Sequence, residues 1–194
     1  MTKTIAALIW FAGLVVWYII RHPFERKARK MGVRKSLLTW REWTLLAIAT
    51  AGLFLIPATY VLTGFPASFD RAFIPALAWL GLLPLCGALW LFRRSHVDLG
   101  RNWSLTLKVR ENHVLVNTGV YRHVRHPMYS SFFLLALSQM LLLPNWLAGT
   151  SGLIGVGFLF GFRVLREEAM MLEYFGDEYR SYMARTKRII PWIV

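Results

Sequence analysis

Two polar clusters bracket an apolar stretch in the second half of the chain. The first is Arg125-His126-Pro127-Met128-Tyr129, and the second is Arg163 followed by Glu167 and Glu168. An arginine offers paired donors to a carboxylate. A carboxylate accepts from a cation, and histidine and tyrosine carry transferable protons. Ionisable groups beside so much apolar sequence are costly unless paired or watered, so both clusters are candidate site residues.

Each cluster also has a purely structural explanation. Pro127 suits the first position of a helix, where its missing donor costs nothing, so His126 to Tyr129 can be a helix start with an interfacial aromatic. Arg163 and Glu167 are four apart and share a helix face, which suffices for an ordinary ion pair. Glu168 points about 100° away, as a solvated or helix-pairing group. His123-x-x-His126 has a metal-like spacing without an evident third ligand, and a chain whose only cysteine is Cys86 has no Cys-based zinc site or internal disulfide. Cys86 is read as packing, and His22 and His96 as interfacial. No Gly-rich phosphate loop and no Ser-His-Asp order stands out, which excludes a soluble dinucleotide-type core.

The elements that must position these groups are apolar. The 194 residues are 56% hydrophobic and 17% charged, with a mean hydropathy of +0.44. This composition predicts an all-α polytopic integral membrane protein rather than a soluble domain. Five segments are predicted: Ile5–Ile20, Trp43–Leu62, Ala72–Phe92, Met128–Leu143 and Leu147–Leu165. Pro57 is tolerated in the second as a kink whose freed carbonyl neighbouring helices satisfy, and Pro75 and Pro84 bend the third. Gly157-x-x-x-Gly161 in the fifth reads as tight internal packing. Between segments three and four, Leu105–Val109 and His113–Val116 read as a small hairpin. An amphipathic helix follows Arg166, Gly176 stops it, and Asp177–Arg185 forms a second short helix.

The formal net charge of +13 would suggest nucleic acid in a soluble protein, but the bases lie between apolar runs and read as topology signals and lipid headgroup contacts. With five spans, 21 of the 23 Lys and Arg fall on one side, leaving Lys3 and Arg71 on the other. The positive-inside rule then predicts the N-terminus outside and the C-terminus cytoplasmic. His113, Tyr121, His126, Tyr129, Arg163 and Glu167 all reach the same cytoplasmic interface. Residues 1–101 form the first three helices with a basic cytoplasmic loop at 21–42, and 102–194 form the catalytic region with helices four and five.

The ordered motifs Gly119-Val120-Tyr121, Arg125-His126-Pro127-Met128-Tyr129, Arg163 with Glu167-Glu168, Phe175-Gly176-Asp177-Glu178-Tyr179 and Thr186 to Pro191 resemble the isoprenylcysteine carboxyl methyltransferase family, within a wider group that includes phospholipid methyltransferases. The likeness runs from about Asn102 to Pro191. It implies S-adenosylmethionine as cofactor, with S-adenosylhomocysteine as product, at the cytosolic membrane face. By motif match it implies cofactor contacts from Val109 or Lys108, His113, Val114, Leu115, Val116, Tyr121, His126, Pro127, Met128, Tyr129 and Glu167. Arg163 matches the substrate-side arginine, and Glu168 is a further catalytic candidate. Ser131 stands where glycine is common, and the additional N-terminal helices of many eukaryotic members are absent.

What this implies is methyl transfer to a lipophilic acceptor entering from the bilayer, with segments four and five as a gate, and foremost to a prenylcysteine-like carboxylate. A carboxylate acceptor is already ionised at neutral pH and needs no general base. Arg163 would orient it, and Glu167 would hold the cofactor amine. No metal and no nucleic acid is implied, and the oligomeric state stays open. Competing readings are lipid amine methylation, with Glu168 or a histidine as base, an NADPH-dependent sterol-type reductase, and a membrane scaffold without chemistry.

Overall fold

The computed structural model describes residues 1–29, 35–36, 39–100, 108–109 and 114–191. Helix α1 spans Lys3–Arg29 and runs through Pro23, well past the expected end at Ile20. Strand β1 is Lys35–Ser36. The second rod is α2 (Trp40–Thr50), a π-helical turn at Ala51–Leu55 and α3 (Ile56–Thr63). The third is α4 (Pro75–Leu80) and α5 (Leu82–Leu99), jointed at Gly81. Strand β2 is Lys108–Val109. Then come α6 (Pro127–Leu142), α7 (Trp146–Phe175) and α8 (Asp177–Arg185).

Four helical rods, Lys3–Ala28, Trp40–Thr63, Pro75–Leu99 and Trp146–Phe175, are long and apolar enough to cross a membrane. The fourth predicted segment, α6, has 16 residues, or about 24 Å against a hydrocarbon core of roughly 30 Å. The chain is thus an all-helical polytopic membrane protein, apart from one minimal β pair. The helices run further than predicted because the basic residues at their ends remain helical. Arg21 pairs with Glu25 one turn on, and Arg94 with Asp98.

Much of the predicted hairpin, 105–107 and His113 with the turn between the arms, lies outside the described residues. Among the described residues β2 pairs antiparallel with β1, Lys35 opposite Val109 and Ser36 opposite Lys108, and Val114 to Val116 lie in no strand. Leu115 turns inward onto Tyr179 and Tyr182, so the burial partner of that segment is α8.

The π turn answers Pro57. Proline lacks the donor that would close the turn onto Gly52, and the Gly52 carbonyl accepts instead from Ser151 Oγ at 2.8 Å and Gln139 Nε2 at 3.1 Å. Here α2 and α7 meet backbone to backbone. A Cβ on Gly52 would fall inside contact distance of the Ser151 carbonyl oxygen, and one on Gly155 would lie 2.9 Å from that of Ile48. The expectation for Gly157 and Gly161 is corrected: a Cβ at either would meet nothing within 4 Å. Both point away from the packed face, and the close approaches lie earlier on α7. Cys86 is likewise exposed on α5 rather than packed.

At the end of the bundle opposite the site, Arg71 donates to the Met140 and Leu143 carbonyls that end α6. Asn145 caps α7 by accepting from the Ala148 N–H at 2.9 Å and donates to Asp70 at 2.9 Å. That hydrogen bond holds the Asp70 carboxyl below the usual carboxylate range. Lys3 reaches Asp70 at 3.9 Å, so the two bases set apart by the charge count share this end.

Candidate active site

A cavity of about 280 Å³ opens among five helices. On α7 its wall is the stripe Val156, Leu159, Arg163 and Glu167; on α2 it is Trp43, Leu46, Ala49 and Leu53. Both follow the helical repeat of three and four, so one continuous face of each rod looks into the space. Phe132 and Phe92 close it with apolar surface, while Tyr129, His96 and Arg21 join Arg163 and Glu167 in making one end polar. An apolar slot with a few convergent polar groups is the usual form of a small-molecule site.

Three pairings define the polar region. Tyr129 Oη donates to Glu167 Oε2 at 3.2 Å, across the α6–α7 contact. Arg163, 8% exposed, stands with its Nε 3.4 Å from Oε2 of Glu42, which is 1% exposed, so a second carboxylate reaches it besides Glu167 on its own helix. His96 is fully buried, and its Nδ1 lies 2.8 Å from the Phe92 carbonyl oxygen. A carbonyl only accepts, so in the neutral ring the proton sits on Nδ1.

Glu168 faces elsewhere. It is 3% exposed and is gripped by Arg125 at 2.8 Å, Arg188 at 2.8 Å and His126 Nε2 at 3.3 Å. Its bond to Arg188 raises that guanidinium's pKa further. Around this carboxylate the chain's end is strapped to the start of α6. The Arg125 N–H donates to the Lys187 carbonyl at 2.7 Å and the His126 N–H to that of Arg188 at 2.8 Å. Arg125 also donates to the Thr186 carbonyl. Glu168 is thus the core of an ion cluster outside the cavity wall, not a solvated group.

A third cluster holds Tyr121. Gly119 adopts a positive φ of 60°, and Asp98 fills the space a Cβ there would need. Asp98 accepts from the Val120 N–H at 2.9 Å, which sets the short 3-10 turn Gly119–Arg122 against α5. The Tyr121 carbonyl accepts from Tyr182 Oη at 2.5 Å. Burial raises the pKa of the Tyr121 and Tyr182 phenols, keeping both neutral.

The sequence-predicted residues therefore fall in separate places. Met128, Tyr129, Arg163 and Glu167 meet at the cavity. His126 sits beside them on Glu168, and Pro127 opens α6. Tyr121 and Leu115 are buried toward α8, Val116 is partly buried and Val114 is exposed. Val109 and Lys108 form β2, and His113 lies outside the described residues. Among the described residues no group of three or more His, Cys, Asp or Glu is placed to hold a metal ion.

Sequence reasoning missed Glu42, His96, Arg21 and Trp43. For Glu42 a signal existed, because Thr39-x-x-Glu42 is a capping-box pattern that starts a helix where a loop was expected; Thr39 Oγ1 accepts from the Glu42 N–H. His96 was hidden because α5 continues past Phe92 and carries it inward.

Fold and site together define a polytopic membrane protein with a polar-ended intramembrane cavity. The family model of the isoprenylcysteine carboxyl methyltransferase family matches residues 80–173. The protein-S-isoprenylcysteine O-methyltransferase of Schizosaccharomyces pombe is 33% identical over 111 residues, 56% of this chain and 47% of that protein. The Homo sapiens protein of the same name is 30% identical over 134 residues, 65% of this chain and 47% of its own length. A protein of Oryza sativa subsp. japonica named "Probable protein-S-isoprenylcysteine O-methyltransferase" is 27% identical over 190 residues, 97% of this chain and 94% of that one. A solved structure of the eukaryotic intramembrane Ras methyltransferase, isoprenylcysteine carboxyl methyltransferase, superposes with a TM-score of 0.55 at 23% identity, over 96% of this chain and 63% of that chain, and shares the fold. The chain spans about half the length of the fission yeast and human relatives. The likeness to the isoprenylcysteine carboxyl methyltransferase family is carried by residues 80–173.

Proposed function

We propose that the chain methylates a lipophilic acceptor, foremost the carboxylate of a prenylcysteine-like compound, with S-adenosylmethionine as methyl donor. The observation that carries this reading is the convergence of Arg163 and Glu167, a cation and an anion, at the polar end of a largely apolar cavity. Arg163 would meet the acceptor carboxylate with paired donors. Glu167, steadied by Tyr129, is the group type an ammonium requires. Met128 and Tyr129 line the same cavity, with His126 beside them on Glu168 and Leu115 and Tyr121 buried toward α8. When bound, the cofactor supplies an electrophilic methyl; the chain supplies alignment, the main lever on a displacement of this kind.

An ionised carboxylate attacks without losing a proton, so no base is needed at the acceptor. Leu46, Leu53, Phe132 and Val156 give its hydrocarbon part an apolar bed. Residues 102–194 carry the proposed reacting groups, and residues 1–101 supply walls through Trp17, Arg21, Trp43 and Leu46. Entry from the bilayer is assigned to the side of α1 and α2, where Thr50 is at once exposed and on the cavity wall, rather than to the closely packed α6–α7 pair. The site is assigned to the cytoplasmic side, on the strength of the 21 bases that five spans collect there.

The deciding experiment supplies the purified protein with methyl-labelled S-adenosylmethionine and either a prenylcysteine or an aminophospholipid. Label in a base-labile ester is the expected result. Label in a base-stable amine would favour lipid amine methylation, and NADPH binding without S-adenosylhomocysteine binding would overturn methyl transfer altogether.

A further inference from the structure

We propose that Glu42 is a positioning residue that fixes the orientation of Arg163 for the acceptor carboxylate; this rests on the methyl transfer proposed above. Glu42 lies outside the family-matched segment and in the half of the chain otherwise devoted to crossing the membrane.

Two charges this deeply buried persist only as partners, since either alone would stand uncompensated in a low-dielectric interior. Glu42 is 1% and Arg163 8% exposed, with Nε to Oε2 at 3.4 Å. The acid on Arg163's own helix, Glu167, is engaged by Tyr129. A carboxylate from α2 also reaches Arg163.

The register that delivers it is set by close packing. Gly155 lies against the Ile48 and Ala49 backbone, and Gly52 against Ser151. These approaches lock the second rod and α7 together about 9 to 15 Å along the rod from Glu42, at 1.5 Å per residue. Thr39 caps the turn that carries the carboxylate. Trp43 and Leu46 line the cavity, whereas Glu42 does not, so it acts through Arg163 and does not touch the acceptor.

A guanidinium is a planar fork whose value lies in its orientation. With Glu42 3.4 Å from Nε on one side, Arg163 is biased to present one plane to an incoming carboxylate, and a displacement tolerates little misalignment. Without Glu42 the positive charge remains but this ionic contact on the guanidinium is lost.

The test is a double-mutant cycle on the full chain in detergent or lipid nanodiscs, reading kcat, the acceptor KM and S-adenosylhomocysteine affinity. Glu42→Gln is expected to lower kcat by roughly a hundredfold, the scale of a misplaced reacting group, with S-adenosylhomocysteine affinity unchanged within about threefold. In an Arg163→Lys background, which has no fork to orient, the same substitution should change kcat by less than about threefold. An equal loss in both backgrounds, or full turnover by Glu42→Gln, overturns the proposal. Should Glu42→Gln alone not fold, Glu42→Gln/Arg163→Met, which removes both buried charges, is compared with Arg163→Met. Equal residual activity supports the assignment and a further loss overturns it. A wild-type chain that binds S-adenosylhomocysteine but methylates no carboxylate would instead overturn the underlying reaction.

Discussion

Tyr129 hands its phenolic hydrogen to Glu167 at 3.2 Å, joining the first turn of α6 to the late turns of α7 on the wall of the cavity. Glu167 supplies charge and Tyr129 supplies orientation, so their removal should differ in size. A hydrogen bond to a charged group contributes about 1.5–3 kcal/mol, so Glu167→Gln should weaken S-adenosylhomocysteine binding by roughly 10- to 100-fold. Tyr129→Phe removes one steadying bond of about 1 kcal/mol and should cost only roughly fivefold. Isothermal titration in detergent checks both, and equal losses would contradict the division of roles.

Arg163→Lys keeps the charge and discards the fork. The expected outcome is a fall of about tenfold or more in kcat/KM for a carboxylate acceptor, with S-adenosylhomocysteine affinity within about threefold of wild type. Full turnover would refute positioning by Arg163.

Glu168→Gln should act on stability. It removes the anion from among Arg125, Arg188 and His126, and breaking a buried ion pair costs about 3–5 kcal/mol. A clear drop in Tm is expected, with S-adenosylhomocysteine affinity of the folded fraction little changed. A variant that keeps its Tm but loses turnover would return Glu168 to a chemical role.

The glycines of α2 and α7 predict opposite responses. Gly52→Ala drives a methyl group into the Ser151 carbonyl, where overpacking costs about 1–3 kcal/mol or more. Gly157→Ala meets open space and should be neutral or stabilising by about 0.5–1 kcal/mol, the usual gain of alanine over glycine in a helix. Thermal unfolding of the two variants checks this contrast.

The spans were legible because apolar runs bounded by bases are a composition signal, and the Arg125–Tyr129 and Arg163–Glu168 clusters were legible because their spacings match helix faces. Cross-helix partnerships were not. Glu42 and Arg163 are neighbours only because Gly155 lets α2 lie against α7, and no local pattern near Glu42 points to an arginine so far along the chain. The partners of Glu168 were hidden for the same reason. Helical geometry sets its direction from Glu167, but the strap of Lys187 and Arg188 that meets it depends on tertiary docking. Alternation around Leu115 also reflects burial against α8, which no local pattern distinguishes from strand pairing.

The Gly52 carbonyl carries a consequence for biosynthesis. Its two donors, Gln139 and Ser151, lie 87 and 99 residues later in the chain. When the second span first enters the bilayer, its π turn therefore presents to lipid an acceptor with no partner yet made, a group that hydrocarbon cannot satisfy. That span is completed only when α6 and α7 emerge and dock. The second span thus depends on two later helices for a backbone bond it cannot make itself.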